Sequence, residues 1–297
     1  MGRLLPTIAV VAAAPTPRLG TVSSRSARAR RTAIGIVIAL LAVVMAPVAH
    51  GDTVLITGAN SGLGLEFAKQ YAGKGWSVIA THRRAETPES LARLKAAHPN
   101  VRIEHLDVTD IAEAHALAAK LKGVPIDVLI NNAGVYSDRS VCTNESCRGN
   151  GDTQSFGNMD YSLFDTIMTV NVRGPLLVSE ALIDNVRLGK QKKIVSISST
   201  NGSVTFTLGG SGAIAYRASK AALNRAMQLV AVHERPEGII VLLLHPGAVL
   251  TERQANLTFP GMIEMQPSVS GMIAVIENAT LADTGHFIQY DGTPAPW

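Results

Sequence analysis

The chain has 297 residues, 46% of them hydrophobic and 17% charged, which suits one large α/β domain with a deep core and excludes an intrinsically disordered chain. Its formal charge of +4 misleads, because residues 1–51 hold six of the 27 basic residues (Arg3, Arg18, Arg25, Arg28, Arg30, Arg31) and no acid. Taking those six from 27 leaves 21 basic against 23 acidic residues, so the rest of the chain is near −2 and carries no nucleic-acid footprint.

Residues 1–51 read as a leader outside the fold, and three readings of it stay open. Arg/Ser/Ala-rich "SSRSARARR" runs into the apolar "TAIGIVIALLAVVMAPVA", the charged and apolar regions of an export or organellar signal, with Arg30-Arg31 where a twin-arginine pair would stand. Met45 is an alternative start, which would place the first strand a few residues from the N-terminus. A retained membrane anchor is the third, the stretch being at the short limit for a span. The cytoplasm is the first expectation. Export, an organelle or a membrane anchor through residues 1–51 are the alternatives.

From residue 52 onward, short apolar runs alternate with amphipathic segments. The runs fall at 53–57, 77–80, 101–106, 126–130, 193–198, 239–244 and 286–289; helical stretches lie around 62–74, 87–97, 109–121, 160–187, 216–234 and 268–278. Runs rich in Val, Ile and Leu, apolar on both faces and separated by helices, predict a mostly parallel seven-stranded sheet. Right-handed crossovers make it a doubly wound, Rossmann-type α/β fold, a single domain over 52–297. The segment 135–159, rich in Ser, Asn, Gly and Asp, reads as a surface loop. Its two cysteines, Cys142 and Cys147, have no second pair of Cys or His nearby, so no metal site is expected. Free thiols are the expectation there, with a disulfide the alternative in an oxidising compartment.

The first strand leads into "TGANSGLG", residues 57–64, and then directly into a helix. Gly58, Gly62 and Gly64, with Asn60, Ser61 and Leu63 between them, suit a tight turn that brings backbone N–H groups to a pyrophosphate at a helix N-terminus. The end of the second strand offers Thr81, His82, Arg83 and Arg84 where an acid would hold an adenosine ribose. A guanidinium can grip a 2′-phosphate that an acid would repel, so the expected cofactor is NADP(H) in preference to NAD(H), with Arg83 as the clamp. A solvated basic turn is the plain alternative.

Further along come Asn131-Asn132-Ala133-Gly134, Ser199, Tyr216 four residues before Lys220, and Pro246-Gly247. In that order and spacing, the set resembles the short-chain dehydrogenase/reductase superfamily over residues 52–297. "YRASKAALN", "LHPGAVLT" and the ending "YDGTPAPW" are most similar to its C-factor/carbonyl-reductase-like branch. The resemblance implies a catalytic set of Asn171, Ser199, Tyr216 and Lys220. It further implies that Asp107 meets the adenine amino group, that Asn131 and Ala133 stabilise the strand end and line the cofactor cleft, that Thr251 helps hold the nicotinamide carboxamide, and that Val108, Gly134, Pro246, Gly247, Val249, Tyr216 and Lys220 also contact the cofactor. Ser199 is preferred to Ser198 because the family serine usually stands second in such a pair.

Reduction of a carbonyl develops negative charge on oxygen, which needs a donor and a proton together. Tyr216 would give the proton and Ser199 would hydrogen-bond the same oxygen, while Lys220, together with the positive charge of the oxidised nicotinamide, would lower the phenol's pKa and also hold the nicotinamide ribose. Asn171 would link that lysine to bulk water. The expected partner is a small-molecule carbonyl or alcohol, with no metal, no nucleic acid, a membrane only if the leader is retained, and a homo-oligomer open. The rival from another class is a non-catalytic NADP(H)-binding signalling or sensor protein of the same fold. His245, alone at a strand end, is expected to be packed rather than catalytic.

Overall fold

Runs that are apolar at successive positions have no solvent face to offer, and in this chain they line up side by side at the centre. The computed structural model describes residues 51–136, 153–206, 212–249 and 261–297; the expectations for the leader before Gly51, for Cys142 and Cys147, and for Thr251 lie outside the described residues. Seven strands form one sheet: β1 (Thr53–Ile56), β2 (Ser77–His82), β3 (Val101–His105), β4 (Val128–Asn131), β5 (Lys193–Ile197), β6 (Ile240–His245) and β7 (Phe287–Gln289). Their order is β7-β6-β5-β4-β1-β2-β3, and every pair is parallel. The expected doubly wound α/β sheet is therefore present, and it is parallel throughout.

Eight helices flank it: α1 (Gly62–Gly73), α2 (Glu89–Ala97), α3 (Ile111–Lys120), α4 (Tyr161–Met168), α5 (Gly174–Ala181), α6 (Ile183–Leu188), α7 (Ile214–Glu234) and α8 (Met265–Asn278). Side chains alternate faces along a strand, so each strand feeds two cores. Val54, Ile56, Val128, Ile130 and Val195 pack with Phe67 and Tyr71 of α1, Leu91 of α2 and Met272 of α8. Leu55, Leu129, Ile194 and Val241 pack on the other face with Leu117 of α3, Ile167 of α4, Val178 of α5 and Met227 of α7.

Two expectations need correction. The stretch 160–187 is not one helix. A π-helical turn, Thr169–Arg173, interrupts it, with the Gly174 N–H reaching back five residues to the Thr169 carbonyl. Pro175 has no N–H to return to the Asn171 carbonyl, which accounts for the break. The segment 135–159 is not wholly a surface loop either. Gln154–Ser155 pairs antiparallel with Asn158–Met159, and Gln154 is buried.

All seven strands end on the same edge, and the connections leave β1 and β4 in opposite directions. The point between those two strand ends is where doubly wound sheets place a ligand. The two cores that hold this edge rigid are fully buried, whereas Val232 on the outer face of α7 is 69% exposed. Leu129→Ala should therefore lower unfolding free energy by roughly 2–5 kcal/mol, and Val232→Ala by no more than about 0.5 kcal/mol. The urea midpoints of the two variants check this.

Candidate active site

The glycine turn is built around Thr57. Its hydroxyl accepts hydrogen bonds from the Asn132 and Ala133 N–H groups, both at 3.0 Å, and the Asn132 amide donates to the carbonyls of Thr57 and Gly58 at 2.9 and 3.2 Å. This interlock fastens the end of β4 to the turn after β1. Gly58 has φ +64° and Gly62 φ +56°, a region that glycine enters without penalty. A Cβ on Gly64 would overlap Asn132 Nδ2 and the Gly58 carbonyl, so only glycine lets α1 start here. Ser61 precedes α1 without making a side-chain cap, Leu63 packs on the core, and the Asn60 carbonyl accepts from the Ser90 hydroxyl at 2.7 Å.

At the neighbouring strand ends, Arg83 Nη1 lies 3.9 Å from Asp107 Oδ2, while Asp107 Oδ1 is held by the N–H and hydroxyl of Thr109. Val108 is buried, and its side chain lies against Gly174. Asn131 points into the protein, donating to Ser179 at 2.9 Å and toward Ser196 at 3.5 Å. Gly134 is close enough to Asn171 that a Cβ there would stand 3.3 Å from its Oδ1. On the far side, the Pro246 carbonyl accepts from the Ser268 hydroxyl, Gly247 has φ +83°, and Val249 pairs with Ile263.

Tyr216 lies in the first turn of α7 with Lys220 one turn on, and Lys220 Nζ is 5.7 Å from the centre of the Tyr216 ring. The buried ammonium donates to the Ile197 carbonyl at the end of β5, 2.8 Å away. Ser199, two residues beyond, sets its hydroxyl beside the phenol, whereas Ser198 donates to Asn224 two turns further along α7. Asn171 Oδ1 accepts from the Val135 N–H at 2.9 Å, and its Nδ2 donates to the Val135 carbonyl and to Ser219, the residue before Lys220. Asn171, Ser199, Tyr216 and Lys220 thus stand together.

The electrostatics depart from the simplest expectation. Burial pushes the Tyr216 phenol up to about 12, opposed by the Ser199 hydrogen bond and reinforced by Tyr136. Burial pushes Lys220 down to about 8. The i, i+4 spacing suggested a cation lowering the phenol's pKa, but the ammonium turns to the Ile197 carbonyl and desolvation dominates.

Four further residues shape the site without having been singled out in the sequence. Asn132 makes the interlock just described, and Ser219 joins Asn171 to the Tyr216 carbonyl. Tyr136 sets its ring 4.5 Å from that of Tyr216, edge to face. Gln154 bonds the backbones of both tyrosines. Asn132 and Ser219 sit inside quoted motifs and had a signal. Tyr136 and Gln154 sit in or beside a polar stretch and had none.

A short chain dehydrogenase family model matches residues 52–259. The chain belongs to that family. It is 37% identical to C-signal of Myxococcus xanthus over 61% of this chain and 99% of that protein. NADPH-bound carbonyl reductase from chicken fatty liver superposes with TM-score 0.74 at 31% identity, covering 84% of this chain and all of that one. Carbonyl reductase Sniffer of D. melanogaster superposes with TM-score 0.70 at 26% identity, over 84% of this chain and all of that one. As a short chain dehydrogenase the chain is an oxidoreductase. Among the described residues of this short chain dehydrogenase, no helix is long and apolar enough to cross a membrane, and no cluster of three or more His, Cys, Asp or Glu is placed to hold a metal ion.

His245 stands at the end of β6 beside Thr200, with Thr200 Oγ1 3.3 Å from its Nε2. Burial lowers its pKa to about 4, against a smaller pull upward from Asp291. The folded pKa lies below the ordinary value of 6.5, so the unfolded chain binds the extra proton first. Stability should be full above pH 6.5 and fall by up to about 3 kcal/mol as pH drops toward 4. Chemical unfolding between pH 4 and 7 should show this slope, and His245→Gln should flatten it.

Proposed function

We propose that the chain is an NADP(H)-dependent carbonyl reductase or alcohol dehydrogenase in which Tyr216 is the general acid and base. The observation that carries this is the Tyr216 phenol, with the Ser199 hydroxyl beside it and the buried Lys220 one helical turn away.

The residues present suit a nicotinamide dinucleotide. Ser61 leaves the first N–H groups of α1 without a side-chain cap, and these are donors that a pyrophosphate would take. A Cβ on Gly62 would meet nothing within 4 Å, so the turn faces open space there. Arg83 is half-exposed and has only a long 3.9 Å contact with Asp107, which leaves its fork available to a 2′-phosphate. The NADPH-bound state of the chicken carbonyl reductase supports the same cofactor. Gly58, Asn60, Ser61, Gly62, Leu63 and Gly64 would hold the pyrophosphate side, and Asp107 and Val108 the adenine. Ala133 and Gly134 would form the floor, with Asn131 bracing it. Pro246, Gly247, Val249 and Thr251 would hold the nicotinamide side. When bound, the cofactor supplies or takes up the hydride.

The remaining work falls to the chain. Ser199 and Tyr216 donate to the substrate oxygen as negative charge builds on it, and Tyr216 releases its proton to that oxygen. A phenol pushed up to about 12 is protonated at neutral pH, as an acid must be. Lys220 stabilises the phenolate left behind, and Asn171 ties the Val135 backbone to the hydroxyl of Ser219, the residue before that lysine.

The chain should oxidise NADPH with aldehydes, ketones or quinones, and Tyr216→Phe should cut kcat by about 10²–10⁴-fold. Turnover unchanged in that variant would remove Tyr216 from the chemistry. Arg83→Ala should weaken NADPH by roughly 10-fold or more while leaving NADH nearly unaffected, as expected for lost hydrogen bonds to a charged group. Lys220 loses its proton above pH about 8, so kcat/KM for reduction should fall on the alkaline side with a midpoint in that region. Steady-state rates across pH 6–10 check the sign.

A further inference from the structure

The helix that carries Tyr216 begins in an unusual way. Its N-cap is Ala213, which has φ +57° and no side chain able to accept a hydrogen bond. The first N–H groups of a helix have no partner within it, and a Ser, Thr, Asp or Asn at the N-cap ordinarily meets one of them. Here the Tyr216 N–H is met from 62 residues away, by Gln154 Oε1 at 3.0 Å. The other end of the same amide, Nε2, donates to the Tyr136 carbonyl at 2.9 Å. Tyr136 in turn lays its ring against the Tyr216 ring.

We infer that Gln154 is a positioning residue for the reaction: its amide caps the catalytic helix at Tyr216 and ties that helix to the backbone of Tyr136. The inference rests on Tyr216 being the general acid.

Three further observations support it. Gln154 itself is 1% exposed, so its amide has little water to turn to in place of these two partners. It sits on a hairpin that runs directly into α4. Asp160, whose carboxylate caps that helix by accepting from the N–H groups of Ser162 and Leu163, donates its own N–H to the Thr153 carbonyl at 2.8 Å. Leu163 and Ile167 of α4 are core residues, so the amide is referenced to the core rather than to a loop. A shorter Asn would not span the two backbones, and an apolar side chain would leave the Tyr216 N–H and the Tyr136 carbonyl without these partners.

The test uses the full chain with Gln154→Met and Gln154→Glu. Met keeps the length of the side chain and loses both bonds; Glu keeps the acceptor for the Tyr216 N–H. Gln154→Met should lower kcat by about 10- to 100-fold, the scale of a small misplacement of a reacting group. KM and the NADPH dissociation constant measured by fluorescence should stay nearly unchanged. Gln154→Glu should restore most of kcat. Independently of turnover, ultraviolet titration of the Tyr216 phenol, taken as a difference from Tyr216→Phe, should move toward the value of free tyrosine in Gln154→Met. An unchanged kcat together with an unchanged titration overturns the inference. So does a loss of kcat matched by equal loss of NADPH binding and not restored by Glu, which would mark a general packing role. If the unsubstituted chain turns over no carbonyl, the reductase reading fails by itself. The titration then still decides for or against Gln154 as the cap that sets the environment of Tyr216.

Discussion

The buried ammonium of Lys220 is the constraint around which this site is arranged. A cation removed from water is costly unless polar groups replace its hydration, and burial brings its pKa down to about 8, near working pH. Its hydrogen bond to the Ile197 carbonyl uses a strand end that the parallel ladder leaves free. The surroundings then have to come close. A Cβ on Gly202 would stand 2.6 Å from the Lys220 carbonyl carbon, so the turn after Ser199 can lie against α7 only as glycine. Asn171 enters from the opposite side through a π-helical turn, which Pro175 opens by withholding a backbone donor. The placement of Asn171 and Lys220 therefore depends on two backbone irregularities as much as on their side chains.

The same burial explains why the phenol is raised rather than lowered. Two opposing influences act on Tyr216: loss of water favours the neutral form, and donors or cations favour the phenolate. Lys220 Nζ is bonded to a carbonyl, and the Ser199 hydroxyl, which favours the phenolate, does not offset burial. A helical spacing places two groups on one face, but it does not say where the ammonium points.

That contrast marks what the sequence could and could not tell. The seven strands were legible because Val, Ile and Leu runs buried on both faces have almost no alternative, and Tyr216, Lys220, Ser199 and Asn171 were legible as an ordered set. The break at Thr169–Arg173 had a signal in Gly174-Pro175, overridden by the apolar periodicity on either side. Gln154 had none. Its partners are backbone atoms on two distant segments, and such bonds leave no periodicity and require no particular neighbour in sequence. A polar stretch between β4 and α4 reads as solvated loop whether or not one of its amides turns inward.

The precision of the site comes from the division of α7 along its length. Tyr216, Lys220 and Asn224 succeed one another at intervals of four, and Leu223, Met227 and Ala231 continue toward the other end as fully packed core. Each polar member meets the end of β5: Asn224 meets Ser198, Lys220 the Ile197 carbonyl, and Tyr216 the Ser199 hydroxyl. At about 1.5 Å per residue, the 21-residue helix spans roughly 30 Å, and its apolar half fixes its axis against the sheet. Ala213 gives the first turn no side-chain cap, although Ala215 in that turn is packed in the core. The Tyr216 N–H at that helix start is met instead by Gln154, from a distant segment of the chain.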